Sequence, residues 1–171
     1  MYGHARDRLP FRGIALAAQL VYQSSLPWNA ERPETVIITC VDGRWYSHVQ
    51  EFASAHLKAG PQTDFVAVPG GIEPLTLMDL MPKDFNFLRR RLQGLVDAHG
   101  TRRIVAIAHE DCAWYRTRRF EPVTIGLRNR QIADLHRAAA QLRQMFPNVT
   151  VETYFARLSG SDPEKVVFES V

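Results

Sequence analysis

The stretch VIITCVDGR at residues 36–44 decides the fold. It opens with a short run rich in β-branched residues that ends at Cys40, a pattern typical of a strand buried on both faces of a parallel sheet. Polar and flexible residues follow at once, with Asp42, Gly43 and Arg44. Functional side chains in open parallel sheets gather just beyond the carboxyl ends of the strands. The stretch therefore predicts both a central strand and a site at its end.

Strand and helix patterns alternate along the rest of the chain. Short apolar runs predict further strands over residues 65–68, 103–108, 149–155 and 166–169, and amphipathic periodicity predicts helices over residues 47–58, 84–99 and 127–145. This order predicts an α/β fold, a single domain with a mainly parallel open sheet of four to five strands flanked by helices on both faces. The last strand is expected at an edge, antiparallel to its neighbour.

The first part of the chain has a different character. An apolar run predicts a helix over residues 14–23, and a cluster of Ser, Pro and Asn after it indicates a loop. We therefore divide the chain into an N-terminal helical arm, residues 1–32, and an α/β domain, residues 33–171.

Composition excludes several classes of protein. With 171 residues, 46% hydrophobic and 23% charged, the chain has the usage of a packed globular protein. A net charge of +3 is too small to indicate a nucleic-acid partner. No apolar run is long enough to span a membrane, and the first residues lack the core of a signal peptide. We expect a cytoplasmic protein that binds neither nucleic acid nor membranes.

Two cysteines exclude a disulfide framework. Cys40 ends the first strand, and the sequence His109-Glu110-Asp111-Cys112 follows the strand over residues 103–108. If these strands are neighbours, Cys40, His109 and Cys112 converge on one point, and two thiolates with one imidazole are ligands that zinc accepts. Three protein ligands would leave one coordination position open. The alternative is that both cysteines are buried free thiols of the core.

The ordered pair of motifs, Cys40-x-Asp42-x-Arg44 and then His109-x-x-Cys112, resembles the β-class carbonic anhydrases. The resemblance implies a zinc enzyme that interconverts CO2 and bicarbonate by means of a zinc-bound hydroxide. It also implies a homodimer or higher homo-oligomer with active sites near the subunit interface, and the N-terminal arm is the expected contact. Cys40, His109 and Cys112 would bind the zinc, and Asp42 with Arg44 would form the catalytic dyad of the family.

Asp42 has two possible states in such a site. It could ligate the zinc as a fourth protein ligand and close the site, or it could pair with Arg44 and accept a hydrogen bond from the zinc-bound hydroxide. Arg44 and the metal would then compete for one carboxylate. His48, one helical turn beyond Arg44, is either a proton relay or an ordinary solvated side chain.

Several positions depart from the family pattern and leave the substrate open. Glu31 stands where many members have a substrate-binding Gln, the loop Val68-Pro69-Gly70-Gly71-Ile72 replaces Arg-Asn-Ala-Gly-Asn, and Ala113 replaces the Gly after the second cysteine. Four aromatic residues near the motifs are expected to line a more apolar pocket, namely Trp45, Tyr46, Trp114 and Tyr115. The alternatives are therefore a carbonyl sulfide or carbon disulfide hydrolase on the same scaffold, or a non-catalytic zinc-binding homologue.

Overall fold

Five strands and four helices make up the chain in a computed structural model that describes residues 19–60, 62–117 and 126–171. The strands are β1 Thr35–Cys40, β2 Asp64–Val68, β3 Arg103–His109, β4 Thr150–Leu158 and β5 Val166–Ser170. The helices are α1 Gly43–Ala55, α2 Pro82–His99, α3 Ala113–Thr117 and α4 Leu127–Met145, with a short 3₁₀ turn at Glu73–Thr76.

The strands form one sheet in the order β2-β1-β3-β4-β5. The first four are parallel, and β5 lies antiparallel to β4 at the edge. This arrangement confirms the predicted α/β class, the mainly parallel sheet and the reversed last strand. It also makes β1 and β3 direct neighbours, with Ile37 opposite Val105 in the register.

The alternation of side chains along β1 and β3 divides the core between the two faces of the sheet. Val36 and Ile38 belong to one cluster, which contains the apolar residues of α2 and α4. Ile37 belongs to the other, which contains the buried residues of α1. All three are fully buried, as the β-branched run predicts for a central strand covered on both faces.

Helix α1 begins four residues earlier than the predicted start at residue 47. The carboxylate of Asp42 accepts a hydrogen bond from the backbone N–H of Arg44 at 3.1 Å, so Asp42 is the N-cap of the helix. Trp45 in the first turn is buried, which anchors the start against the sheet. Asp42, Gly43 and Arg44, which precede the predicted helix, therefore form its capped N-terminus.

The predicted helix over residues 14–23 is wrong where it can be compared with the structure. Residues 19–23 are not helical, and residues 14–18 lie outside the described part of the chain. Helices of about ten residues are marginal in water without tertiary support. The compact unit runs from Glu31 to Val171, whereas the division into an arm over residues 1–32 and a domain over residues 33–171 stays a prediction. Within the described ranges, no helix combines the length and apolar character needed to cross a membrane.

Candidate metal centre

Cys40, His109 and Cys112 meet at the carboxyl end of the sheet. Cys40 is the last residue of β1, His109 is the last of the adjacent β3, and Cys112 lies just before α3. Their ligand atoms all lie within 4.8 Å of one another. His109 and Cys112 are buried and Cys40 is half-buried. The convergence expected from neighbouring strand ends is thus present in the structure.

The spacing of the two sulfur atoms fits a tetrahedral zinc ion. A tetrahedron with Zn–S bonds of about 2.3 Å places its two sulfur atoms about 3.8 Å apart. The Sγ atoms of Cys40 and Cys112 are 3.8 Å apart, and both cysteines are free thiols rather than a disulfide. The pair therefore has the spacing of two ligands on one metal.

The imidazole of His109 is oriented for the same role. Its Nδ1 lies 2.7 Å from the carbonyl oxygen of Glu110, so Nδ1 carries the proton and donates. Its Nε2 is buried and has no hydrogen-bond partner among the described residues. The ring of Trp45 packs against the imidazole at 4.9 Å between ring centroids. A fixed ring with an unused, buried lone pair is what a metal ligand requires.

One thiol of the pair ionises much more easily than the other. The hydrogen bond from the Cys112 thiol, assisted by the backbone N–H groups of Asp42 and Gly70, lowers the pKa of Cys40 to about 4 against an opposing effect of burial. The negative charge on Cys40 and burial in turn raise the pKa of Cys112. The site therefore holds one thiolate readily. The second proton would leave when a cation binds, because a metal stabilises both thiolates together.

Asp42 lies beside the cluster and is paired with Arg44. The guanidinium donates from Nε to Oδ1 at 3.0 Å and from Nη2 to Oδ2 at 2.6 Å. This pairing lowers the pKa of Asp42 to about 2. In this conformation the Asp42 carboxylate is committed to Arg44 and to the N-terminus of α1. The predicted dyad is thus assembled in space, while its role in catalysis stays a prediction.

The loop after β2 supports the end of β1 from one side. Gly71 has a φ of +61°, and a Cβ there would lie 3.2 Å from the backbone nitrogen of Cys40. Gly70 has a φ of +75° and lies against the side chain of Trp114. Glycine is required at both positions, because the backbone there is left-handed and because neighbouring atoms leave no room for a Cβ. The loop is therefore a tight turn that carries no charged side chain over the metal cluster.

Two residues that the sequence does not single out hold the end of β3 in place. Gln131 of α4 is buried, and its Nε2 donates to the carbonyl oxygen of His109 at 2.9 Å. The Glu110 carboxylate accepts from the backbone N–H of Leu158 at 2.9 Å, and the Glu110 N–H donates to Ala156. These contacts join His109 to α4 and β4. The sequence contains one signal for these contacts, which is the polar Gln131 at a position of α4 where the helical pattern predicts a buried residue.

The four aromatic residues expected to line one pocket are dispersed. Trp45 and Tyr115 are core residues, whereas Tyr46 and Trp114 are about half exposed. Tyr46 packs on Phe65 and Trp114 packs on Gly70. The expectation of a shared aromatic pocket is wrong because helical geometry points adjacent residues to different faces.

Glu31 and His48 occupy contrasting positions. Glu31 lines a cleft with Arg102 and Arg103, at the amino end of the sheet and away from the metal cluster. His48 lines a cleft of about 670 Å³ beside Arg44, together with Glu110 and Asp111 just after β3 and with residues of β4 and α4. Of these two residues, therefore, His48 is the one that lies near the candidate site within a single chain.

Comparison with known proteins agrees with this geometry. A family model described as "Putative carbonic anhydrase" matches residues 30–166. The carbonic anhydrase of Streptococcus mutans superposes with a TM-score of 0.52 at 16% identity, covering 86% of this chain and 87% of that one. The β-carbonic anhydrase isoform I of Trichomonas vaginalis gives a TM-score of 0.53 at 15% identity, covering 85% and 87%. No sequence among the curated proteins matches significantly. The two structures show a shared fold.

Proposed function

The chain belongs to the "Putative carbonic anhydrase" family, and from this membership we propose that it is a zinc-dependent carbonic anhydrase. The reaction would be the reversible conversion of CO2 and water to bicarbonate and a proton. The observation that carries the proposal is the cluster of Cys40, His109 and Cys112, whose sulfur spacing of 3.8 Å suits a tetrahedral metal. Three protein ligands leave one coordination position for chemistry.

Zinc at this site would supply a Lewis acid that makes water nucleophilic near neutral pH. The chain itself supplies the ligand charges and the shape of the site. His109 offers Nε2 because its Nδ1–H is held by the carbonyl oxygen of Glu110. The hydrogen bond from the Cys112 thiol holds the pKa of Cys40 well below its usual range, so the site offers one thiolate readily.

Asp42 and Arg44 would handle protons and orientation. Asp42 stays ionised because its pKa is about 2, so it can accept a hydrogen bond from the reacting water. Arg44 holds this carboxylate through two nitrogen atoms and keeps it in place. If Asp42 leaves Arg44 for the metal, the fourth position is filled and the site is closed. Both states remain part of the proposal.

A second candidate substrate is carbonyl sulfide or carbon disulfide. The loop of Pro69, Gly70 and Gly71 brings no charged or amide side chain to the site, and Trp114 packs against it. This apolar lining suits a small neutral molecule better than an anion.

We also propose that the protein is cytoplasmic, because two free thiols stay reduced in that compartment. We propose further that it forms a homodimer or higher homo-oligomer, which light scattering of the purified protein would test.

The test measures initial rates on CO2, carbonyl sulfide and carbon disulfide with the zinc-loaded protein, using Cys40→Ser as the control. We expect CO2 hydration that the substitution abolishes. Turnover of a sulfur substrate alone would identify the second candidate. A zinc-loaded protein that converts none of the three would be a zinc-binding homologue without catalysis, and the proposed activity would be wrong.

A further inference from the structure

Asp111, inside the His109-x-x-Cys112 motif, is a second carboxylate at Arg44. Its Oδ2 lies 3.6 Å from Nη1 of Arg44, on the guanidinium nitrogen that Asp42 does not use. Its other oxygen is paired with Arg116 of α3. The four side chains thus form a row of alternating charge, in the order Asp42, Arg44, Asp111 and Arg116.

The backbone places Asp111 in this row. Its φ is +59°, a left-handed conformation that Asp and Asn adopt more readily than most other residues. This turn directs the chain from His109 back to Cys112, so the metal cluster and the position of Asp111 depend on the same local geometry. Asp111 is 40% exposed at its side chain and Arg116 is 63% exposed, which limits the strength of each pair.

We propose that Asp111, positioned by Arg116, competes with Asp42 for Arg44 and so sets how firmly Arg44 holds Asp42 away from the metal. Removal of the Asp111 charge would leave Asp42 as the sole carboxylate partner of Arg44 in this row and tighten that pair. Removal of the Arg116 charge would free Asp111 to approach Arg44 and loosen it. Asp111 and Arg116 are positioning residues here, because neither belongs to the metal cluster.

The consequence at the metal rests on the proposed function, but the competition itself does not. An Asp42 carboxylate that is held less firmly is freer to ligate the zinc and close the site. An Asp42 held more firmly stays available as a hydrogen-bond acceptor. Asp111 and Arg116 would therefore bias the site between its closed and open states.

The experiment compares Asp111→Asn with Arg116→Gln. The readout is the hydrogen-exchange rate of the Arg44 Nε–H, measured by ¹⁵N NMR in zinc-free and zinc-loaded protein and assigned by its loss in Arg44→Lys. We expect exchange to be about two- to fivefold slower in Asp111→Asn and faster by a similar factor in Arg116→Gln, the size of an exposed charge pair. Asp97→Asn and Arg102→Gln make the same changes of charge away from the site and should leave the rate unchanged.

The opposite signs separate competition from a purely structural role. Both variants break the Asp111–Arg116 ion pair, so a role limited to holding this loop would change the rate in the same direction in both. A shared direction, or no change in either variant, would overturn the proposal. A wild-type protein that lacks CO2 hydration would overturn the proposed function instead, because the exchange rate is measured without substrate.

Discussion

The side chain of Gln131 donates a 2.9 Å hydrogen bond to the backbone carbonyl of His109. This contact joins the buried face of α4 to the last residue of β3, which is the histidine of the metal cluster. Both residues are almost completely buried, so water cannot easily replace the bond. The position of one metal ligand therefore depends on a helix that follows it in the chain.

Replacement of Gln131 by Met tests this contact. The substitution keeps the length of the side chain but leaves the His109 carbonyl without its donor, and an unsatisfied buried group costs about 1–3 kcal/mol. We expect the free energy of unfolding, from urea denaturation, to fall by that amount and zinc affinity to weaken. Gln144→Met, at an exposed position of the same helix, is the control. Equal stability of the two variants would refute a structural role for the hydrogen bond.

Gly71→Ala is expected to damage the end of β1. The added Cβ would meet the backbone at 3.2 Å beside Cys40, in addition to the strain of a φ of +61°. Gly100→Ala is a matched control, because Gly100 has a φ of +72° with no atom near its Cβ position. The left-handed conformation alone costs about 1–2 kcal/mol.

We expect Gly71→Ala to lose more unfolding free energy than Gly100→Ala and to bind zinc less tightly, whereas Gly100→Ala keeps its zinc affinity. Calorimetric zinc titration of both variants measures the difference. Indistinguishable losses in the two variants would mean that the close approach to Cys40 has no energetic effect.

Arg44→Gln should raise the pKa of Asp42 from about 2 toward the ordinary value near 4. Because the folded-state pKa is lowered, the pair stabilises the protein above pH of about 4, and this contribution is lost as the pH falls toward about 2. The difference in unfolding free energy between wild type and Arg44→Gln should narrow over the same range. Carbon-13 NMR titration of the zinc-free proteins measures the pKa directly, and an identical Asp42 pKa in both would contradict the account.

Local sequence pattern is sufficient to predict most of the sheet and the metal cluster. The run ending at Cys40 and the strand ending at His109 have the composition of buried parallel strands, and parallel strands bring their carboxyl ends to one edge. Cys112 is only three residues beyond His109, so its position follows from theirs. The short range of these relationships is the reason why they can be inferred from one sequence.

Contacts between distant parts of the chain, and unusual backbone conformations, cannot be predicted from the local sequence pattern. The contact of Gln131 with His109 depends on how α4 packs across the sheet, and the left-handed backbone of Asp111 has no compositional signal in a residue other than glycine. The predicted start of α1, at residue 47, lies four residues after the observed start at Gly43, because Asp42 is both the N-cap of the helix and the partner of Arg44. A residue with two roles is ambiguous in sequence until its partners are known.

The central claim is that Cys40, His109 and Cys112 bind one zinc ion, and zinc stoichiometry tests it most directly. The measurement is the zinc content per chain of purified wild type, Cys40→Ser and His48→Ala, determined by mass spectrometry of the metal after exhaustive dialysis. We predict about one zinc per chain in wild type and in His48→Ala, because His48 lies outside the cluster, and almost none in Cys40→Ser. A Cys40→Ser protein that retains a full equivalent of zinc would contradict the assignment.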